Sequence, residues 1–303
     1  MAAQLRAVRA RIRAVKSIAK ITRAQELIAS SRIIRALQRM RAAEPYAREL
    51  TTAVEAVVSR STTISHPMIS EPESTTRAAA LILTSDGGFA GAYNANVLRE
   101  ASRLRQRNTD DGIATVNYVA GRKGIAWHRY RGLELAEEWS GFSAQPSYAE
   151  AERLATAVLD AFEKDARDGG VDEIYLVSTE FVSMLTQRPV VRRLLPMEIE
   201  EREGERPGGA LPSYEFEPST DVVLDALLPQ YVASRIYYAM LEAAASELAA
   251  RRRAMKAATD NANDLIDRLT REANNARQAE ITQEISEIVG GANALAEANA
   301  GSE

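Results

Sequence analysis

Across 303 residues the chain carries 38 basic and 42 acidic side chains, a formal charge of −4, and no cysteine. The missing thiols exclude a disulfide framework, a thiolate metal cluster and a thiol nucleophile. The only histidines, His66 and His128, leave too few partners for a His-rich metal site or a Ser-His triad.

The N-terminal stretch is expected to be one helix. Residues 1–44 contain neither glycine nor proline, and residues 1–48 hold twelve Arg or Lys against Glu26 and Glu44. Leu5, Val8, Ile12 and Val15 follow alternating three- and four-residue steps, and Ile18, Ile21 and Ile28 continue them after a shift. So basic a helix suits either a nucleic-acid surface or a face that meets an acidic protein partner. Aromatic rings for base stacking are almost absent from it. The start MAAQLRAVRARIRAVK lacks an apolar leader core, and no stretch approaches the ~20 apolar residues of a membrane span. A soluble protein that docks on a membrane complex fits this pattern.

Between the helices, short apolar runs alternate with amphipathic ones. AAALILT (78–84), IATVNYVA (113–120), LELAEEW (133–139), DEIYLVSTEFV (172–182) and RPVVRRLLP (188–196) read as strands. Interleaved with them, 94–107, 121–132 and 148–167 read as helices, which predicts a largely parallel sheet with crossover connections. SDGGFAGAYN (85–94) follows the first strand and could cradle a phosphate at a helix N-terminus. It is neither G-x-G-x-x-G nor a phosphate loop with its lysine, so a tight strand-to-helix crossover is the better reading. Glu137 and Glu138 read as solvated carboxylates, and EEREGERPGGALPS (200–213) as a mobile acidic loop.

The C-terminal segment 230–289 again lacks glycine and proline, lying between Pro229 and Gly290-Gly291. As a helix it spans on the order of 90 Å at ~1.5 Å per residue. Leu241, Ala244, Leu248, Met255, Ala258, Ala262, Leu265 and Leu269 give a coiled-coil seam, interrupted where Arg251 takes a seam position. With Pro45 and Pro229 as a shared base, an antiparallel pairing places Met1 near Ala273 and Arg251 near Arg23–Gln25. Residues from 274 onward then project alone, with five glutamates against Arg277 and a new stripe of Ile281, Ile285 and Ile288. The expected fold is α/β: a long antiparallel coiled coil of the N- and C-terminal helices with a central α/β domain. The divisions fall at 1–60, 75–215 and 220–303.

MKAATDNA (255–262) and NARQAEITQEISEIVGGA (275–292), with ITRAQELIASSRI (21–33) and SDGGFAGAYNANV (85–97), resemble the gamma subunits of F-type ATP synthases in order and spacing. The resemblance implies a central stalk, not an enzyme by itself, binding no cofactor and no nucleic acid. Its α/β domain would be a Rossmann-like relative that holds no nucleotide. Implied partners are the alpha and beta subunits of the catalytic head, the epsilon subunit and the membrane c-ring. The implied place is the cytoplasmic face of the bacterial plasma membrane. Matching positions imply that Arg277, Gln278, Thr282 and Glu284 contact the head, with Gln25 and Arg251 near an acidic lever loop. Gln25 stands where many members have methionine. Tyr214, Phe216 and Glu217 match the foot that rests on the ring.

Overall fold

The computed structural model describes residues 2–58, 66–70, 72, 74–197 and 220–300. The acidic stretch 200–213 and the implied foot residues Tyr214, Phe216 and Glu217 lie outside the described residues. Two helices dominate, α1 (Ala2–Val58) and α5 (Thr220–Ala300). The chain divides into two compact units, Met1–Ile28 with Arg252–Glu303, and Ala29–Arg251.

The larger unit is built on a five-stranded sheet. Its strands are β1 (Arg77–Leu83), β2 (Ala114–Ala120), β3 (Glu137–Trp139), β4 (Glu173–Phe181) and β5 (Gln187–Leu195). They lie in the order β3-β2-β1-β4-β5. The first four are mutually parallel and only β5 runs antiparallel, against β4. Crossovers are made by α2 (Tyr93–Asp110), α3 (Arg122–Tyr130) and α4 (Tyr148–Phe162). The last opens on a capping box of Ser147 and Glu150. The edge strand β3 holds only the end of the expected LELAEEW run, as a strand with a single neighbour has fewer ladder bonds to extend it.

Strand β1 shows why the sequence reads as an unbroken apolar run. Ala79, Leu81 and Leu83 pack into one core with α4, the end of α1 and α5, whereas Ala80 and Ile82 pack into the other with α2 and α3. Both faces of a central parallel strand are covered, so alternation of polar and apolar residues disappears.

Both long helices pass through their prolines, Pro45 and Pro229. A proline inside a helix costs ~3 kcal/mol. Here Val54, Val57 and Val58 beyond Pro45 bury in the same core as Leu224, Leu228, Val232 and Ile236 around Pro229. Each fully buried side chain of this size contributes about 1.5–3 kcal/mol, enough to offset the break. The helix α5 likewise runs on through Gly290-Gly291 instead of stopping there.

In the smaller unit, Leu5 and Val8 of α1 form a buried cluster with Leu269 and Ala273 of α5, and Ile12, Val15, Leu265 and Ala276 pack on it. Thr22 meets Thr259, their hydroxyls 2.7 Å apart, where a base at the two prolines would have put Arg252. The register differs by one heptad because the helices extend past both prolines. The second half of the expected α1 seam is corrected: Ile18, Ile21 and Ile28 are 52%, 61% and 45% exposed, while Thr22 and Glu26 are buried. The α1 seam turns polar here, and Arg23 pairs with Glu26 at 2.8 Å.

The threonine pair sets the register more than it stabilises the coil. Each hydroxyl has its own backbone acceptor, Ala19 O and Met255 O. Replacing both by valine is expected to leave the melting free energy within about 0.5 kcal/mol or raise it, because no polar atom is left unpaired. The single change Thr22→Val is expected to cost up to about 1 kcal/mol. Chemical denaturation of the four chains of that cycle checks both values.

Candidate functional site

Open parallel sheets hold ligands at the carboxyl ends of their strands, where the strand order reverses. In this sheet that point lies between β1 and β4, and α5 runs across it. Tyr93, just after β1, donates its hydroxyl to Ala243 O at 3.3 Å, and Ser246 reaches Thr179 O of β4 at 3.5 Å. Residues 239–250 of α5 are buried without a break. Burial pushes the Tyr93 hydroxyl, next to Glu247, well above the usual tyrosine range.

The glycine-rich turn folds onto itself and onto α5. The Ser85 amide donates to Asn94 Oδ1, and the Ser85 hydroxyl lies 2.7 Å from Gly87 O. One carboxylate, Asp86, gathers three loops: it accepts from the amides of Arg122 (3.1 Å), Gly141 (2.8 Å) and Ser143 (3.0 Å). Its own amide donates to Ser143 Oγ at 2.8 Å, and that hydroxyl donates in turn to Glu247 at 3.2 Å. Phe89, at φ 60°, sits in the left-handed region and is 77% exposed.

Glu247 is 1% exposed. Arg251, one turn further along α5, donates Nη2 to Glu247 at 2.5 Å and Nε to Gly88 O at 3.1 Å. Burial drives the Glu247 carboxyl above the usual carboxylate range, although Arg251 and the Ser143 hydroxyl pull it down. The site therefore offers a buried carboxylate where a dinucleotide fold offers amides to a phosphate, and like charges repel there. The expectation that Arg251 turns toward the partner helix is corrected: its guanidinium is held by the glycine-rich turn and Glu247. The Glu-to-Arg spacing of four was visible in the sequence; the loop partners were not.

A second buried carboxylate anchors another side of α5. Glu242 is reached by Arg192 of β5 at 3.2 Å, and Arg192 and Arg188 both pair with Glu180 of β4. Burial again raises the Glu242 carboxyl, against the pull of Arg192.

The other expected contact residues lie in the smaller unit. Gln25 is exposed on α1, and Arg277, Gln278, Thr282 and Glu284 are exposed on α5. Helical geometry puts Arg277 and Glu284 on one line with Ile281 and Ile288, and Gln278 and Thr282 on the adjoining line with Ile285. The Thr282 hydroxyl donates to Gln278 O at 2.9 Å. All three isoleucines are exposed, with Val289 beside them. This stretch of α5 therefore carries exposed apolar and polar side chains on adjoining lines of one helix. Among the described residues no cluster of His, Asp or Glu could hold a metal ion, and no helix is long and apolar enough to cross a membrane.

The sequence profile of the ATP synthase family matches residues 4–295. The ATP synthase gamma chain of Acidothermus cellulolyticus is 58% identical over 97% of this chain and 98% of its own length. Those of Nocardioides sp. and Streptomyces coelicolor are 57% and 53% identical, each over the full length of both chains. A solved structure of the Euglena gracilis mitochondrial ATP synthase (OSCP/F1/c-ring) contains a chain of the same fold. Its TM-score is 0.69 at 15% identity, over 97% of this chain and 95% of that one. A rotor structure from the same source gives 0.65 at 14% identity, over 93% and 100%. Matched from end to end at this identity, the chain belongs to the ATP synthase gamma-chain family.

Proposed function

We propose that the chain is the central-stalk rotor of an F-type proton-translocating ATP synthase and is not catalytic by itself. The observation that carries this reading is the exposed α5 face through Arg277, Gln278, Ile281, Thr282, Glu284 and Ile288, on a chain that matches gamma chains throughout. A shaft acts by favouring one conformation of each catalytic site through differential contact, so it needs an asymmetric side-chain surface and no reaction chemistry of its own. Its partners in this reading are the alpha and beta subunits of the head, the epsilon subunit and the c-ring. The foot residues Tyr214, Phe216 and Glu217 meet the ring. Gln25 joins the head contacts. The chain is then peripheral, on the cytoplasmic face of the bacterial plasma membrane, and binds neither cofactor nor nucleic acid.

Co-purification with head subunits after co-expression tests the reading. Stable assembly is expected, with no ATP hydrolysis by the free chain; steep salt-dependent DNA binding without assembly would sink it. Within the complex, Arg277→Ala with Gln278→Ala is expected to lower ATP-driven proton pumping by about fivefold or more, as losses at central contacts do. Removal of residues 290–303 is expected to cost less. Equal pumping by the two variants would contradict that ranking.

A further inference from the structure

The stretch of α5 that crosses the sheet is rich in alanine: Ala243, Ala244, Ala245, Ala249 and Ala250 are all buried. Small side chains allow close approach but make shallow ridges, so packing alone resists rotation of the helix about its axis weakly. Directional contacts must supply the angle. We infer that Glu242 and Glu247, with Arg192, Arg251, Ser143 and Asp86, form a torsional clamp that fixes the rotational setting of α5 against the sheet.

The two carboxylates stand five residues apart, about 140° around the helix at ~100° per residue. They are therefore gripped from different directions. Glu242 is held by the β4–β5 edge through Arg192. Glu247 is held by the loops that follow β1 and β3, through Arg251 and Ser143. A helix held at one azimuth can pivot; held at two, it cannot turn without breaking buried charge-assisted bonds.

Gly87 gives an independent sign that the arginine side of the clamp is built for close approach. A Cβ on Gly87 would lie 2.6 Å from Arg251 Nη2. The absent side chain at residue 87 leaves Nη2 room to lie against the turn, where a Cβ would displace it. Arg251 acts here as a positioning residue inside its own chain, which differs from a catch on the catalytic head. The inference deepens the rotor reading and rests on it for its consequence: torque entering the sheet reaches α5 through the clamp.

Hydrogen exchange on the full chain tests the clamp without the complex. Arg251→Met and Glu247→Gln are each expected to speed exchange in the peptides covering 85–92 and 139–147 by about tenfold or more. Those peptides hold the amides that Asp86 and Ser143 bind. The helix α4 should be unchanged, and the double variant should be no faster than either single one. Gly87→Ala, which displaces Nη2 alone, should give a smaller change of the same pattern. Unchanged exchange, or effects of the two substitutions that simply multiply, would overturn the clamp.

If Arg251→Met exchanges globally, Arg251→Lys and Gly87→Ala decide by the same peptides. In the assembled complex, Gly87→Ala and Arg251→Lys are expected to reduce ATP-driven pumping more than ATP hydrolysis. Loop opening with an unchanged ratio would overturn the torque consequence. Failure of the unsubstituted chain to assemble would instead be a failure of the rotor reading.

Discussion

Arg251→Leu is expected to destabilise the chain by about 3–5 kcal/mol, the cost of stranding one partner of a buried ion pair. The seam pattern by itself suggests the opposite, that leucine would improve a coil interrupted by arginine. The structure reverses the sign. Arg251 and Glu247 have side chains only 14% and 2% exposed, so the arginine is the counter-charge of a carboxylate with little access to water. Without it, Glu247 keeps the Ser143 hydroxyl and little else, and its carboxyl, already above the usual range, rises further.

The pH dependence follows from that direction. A carboxyl whose native value lies above its unfolded value binds more protons in the native state, so stability falls as pH rises through the interval between the two. The loss in Arg251→Leu should therefore be larger at pH 8 than at pH 5, as read by urea denaturation at both. Adding Glu247→Met should recover most of it, since replacing both partners of a buried pair by apolar groups is often neutral or stabilising. A deficit independent of pH, or no recovery in the double variant, would contradict this account.

Gly121→Ala is expected to cost on the order of 4 kcal/mol and to abolish soluble expression when combined with any second core lesion. Gly121 has φ 109°, a conformation L side chains rarely adopt, and an added Cβ would lie 2.3 Å from the carbonyl oxygen of Thr84. Neither atom can swing away. Thr84 donates its hydroxyl to the carbonyls of Ala120 and Gly121, and its Oγ1 accepts from the Gly124 amide. This knot holds the end of β1 against the start of α3, next to the turn that carries Asp86. Gly132→Ala is the control: its φ of 64° carries strain too, but nothing lies within 4 Å of the added carbon. Its expected loss is about 1–2 kcal/mol. Thermal unfolding of both variants separates the contact from the conformation.

How far the sequence could be read depended on how local each cause was. The strands were legible because a buried parallel strand favours apolar, β-branched and aromatic residues. Strand β1 is an unbroken apolar run after Arg77, and β2 and β4 carry the shorter stretches Tyr118–Ala120 and Ile174–Val177. The α5 seam was legible because heptad spacing is local: Leu241, Leu248, Met255, Ala262 and Leu269 are buried as the steps predict. The α1 seam failed after Val15, since Ile18, Ile21 and Ile28 carry the hydrophobicity while Thr22 and Glu26 take the buried positions. Hydropathy ranks isoleucine first for burial, but a helix cannot bury every apolar line it carries. Which line is covered depends on the partner's position.

The sequence alone determined the α/β class, two long helices at the chain ends, their antiparallel seam over its outer part, and the polar and apolar face from Arg277 to Ile288. Each follows from periodicity and propensity within a few turns. Tertiary structure decided the heptad of register between the helices, the passage of both through their prolines, and the partners of Arg251. These depend on the core around Leu224, Leu228 and Val57, and on Asp86 and Ser143, which lie more than a hundred residues from Glu247 in sequence. Spacing within a helix says which way a side chain points; only the folded sheet says what it meets there.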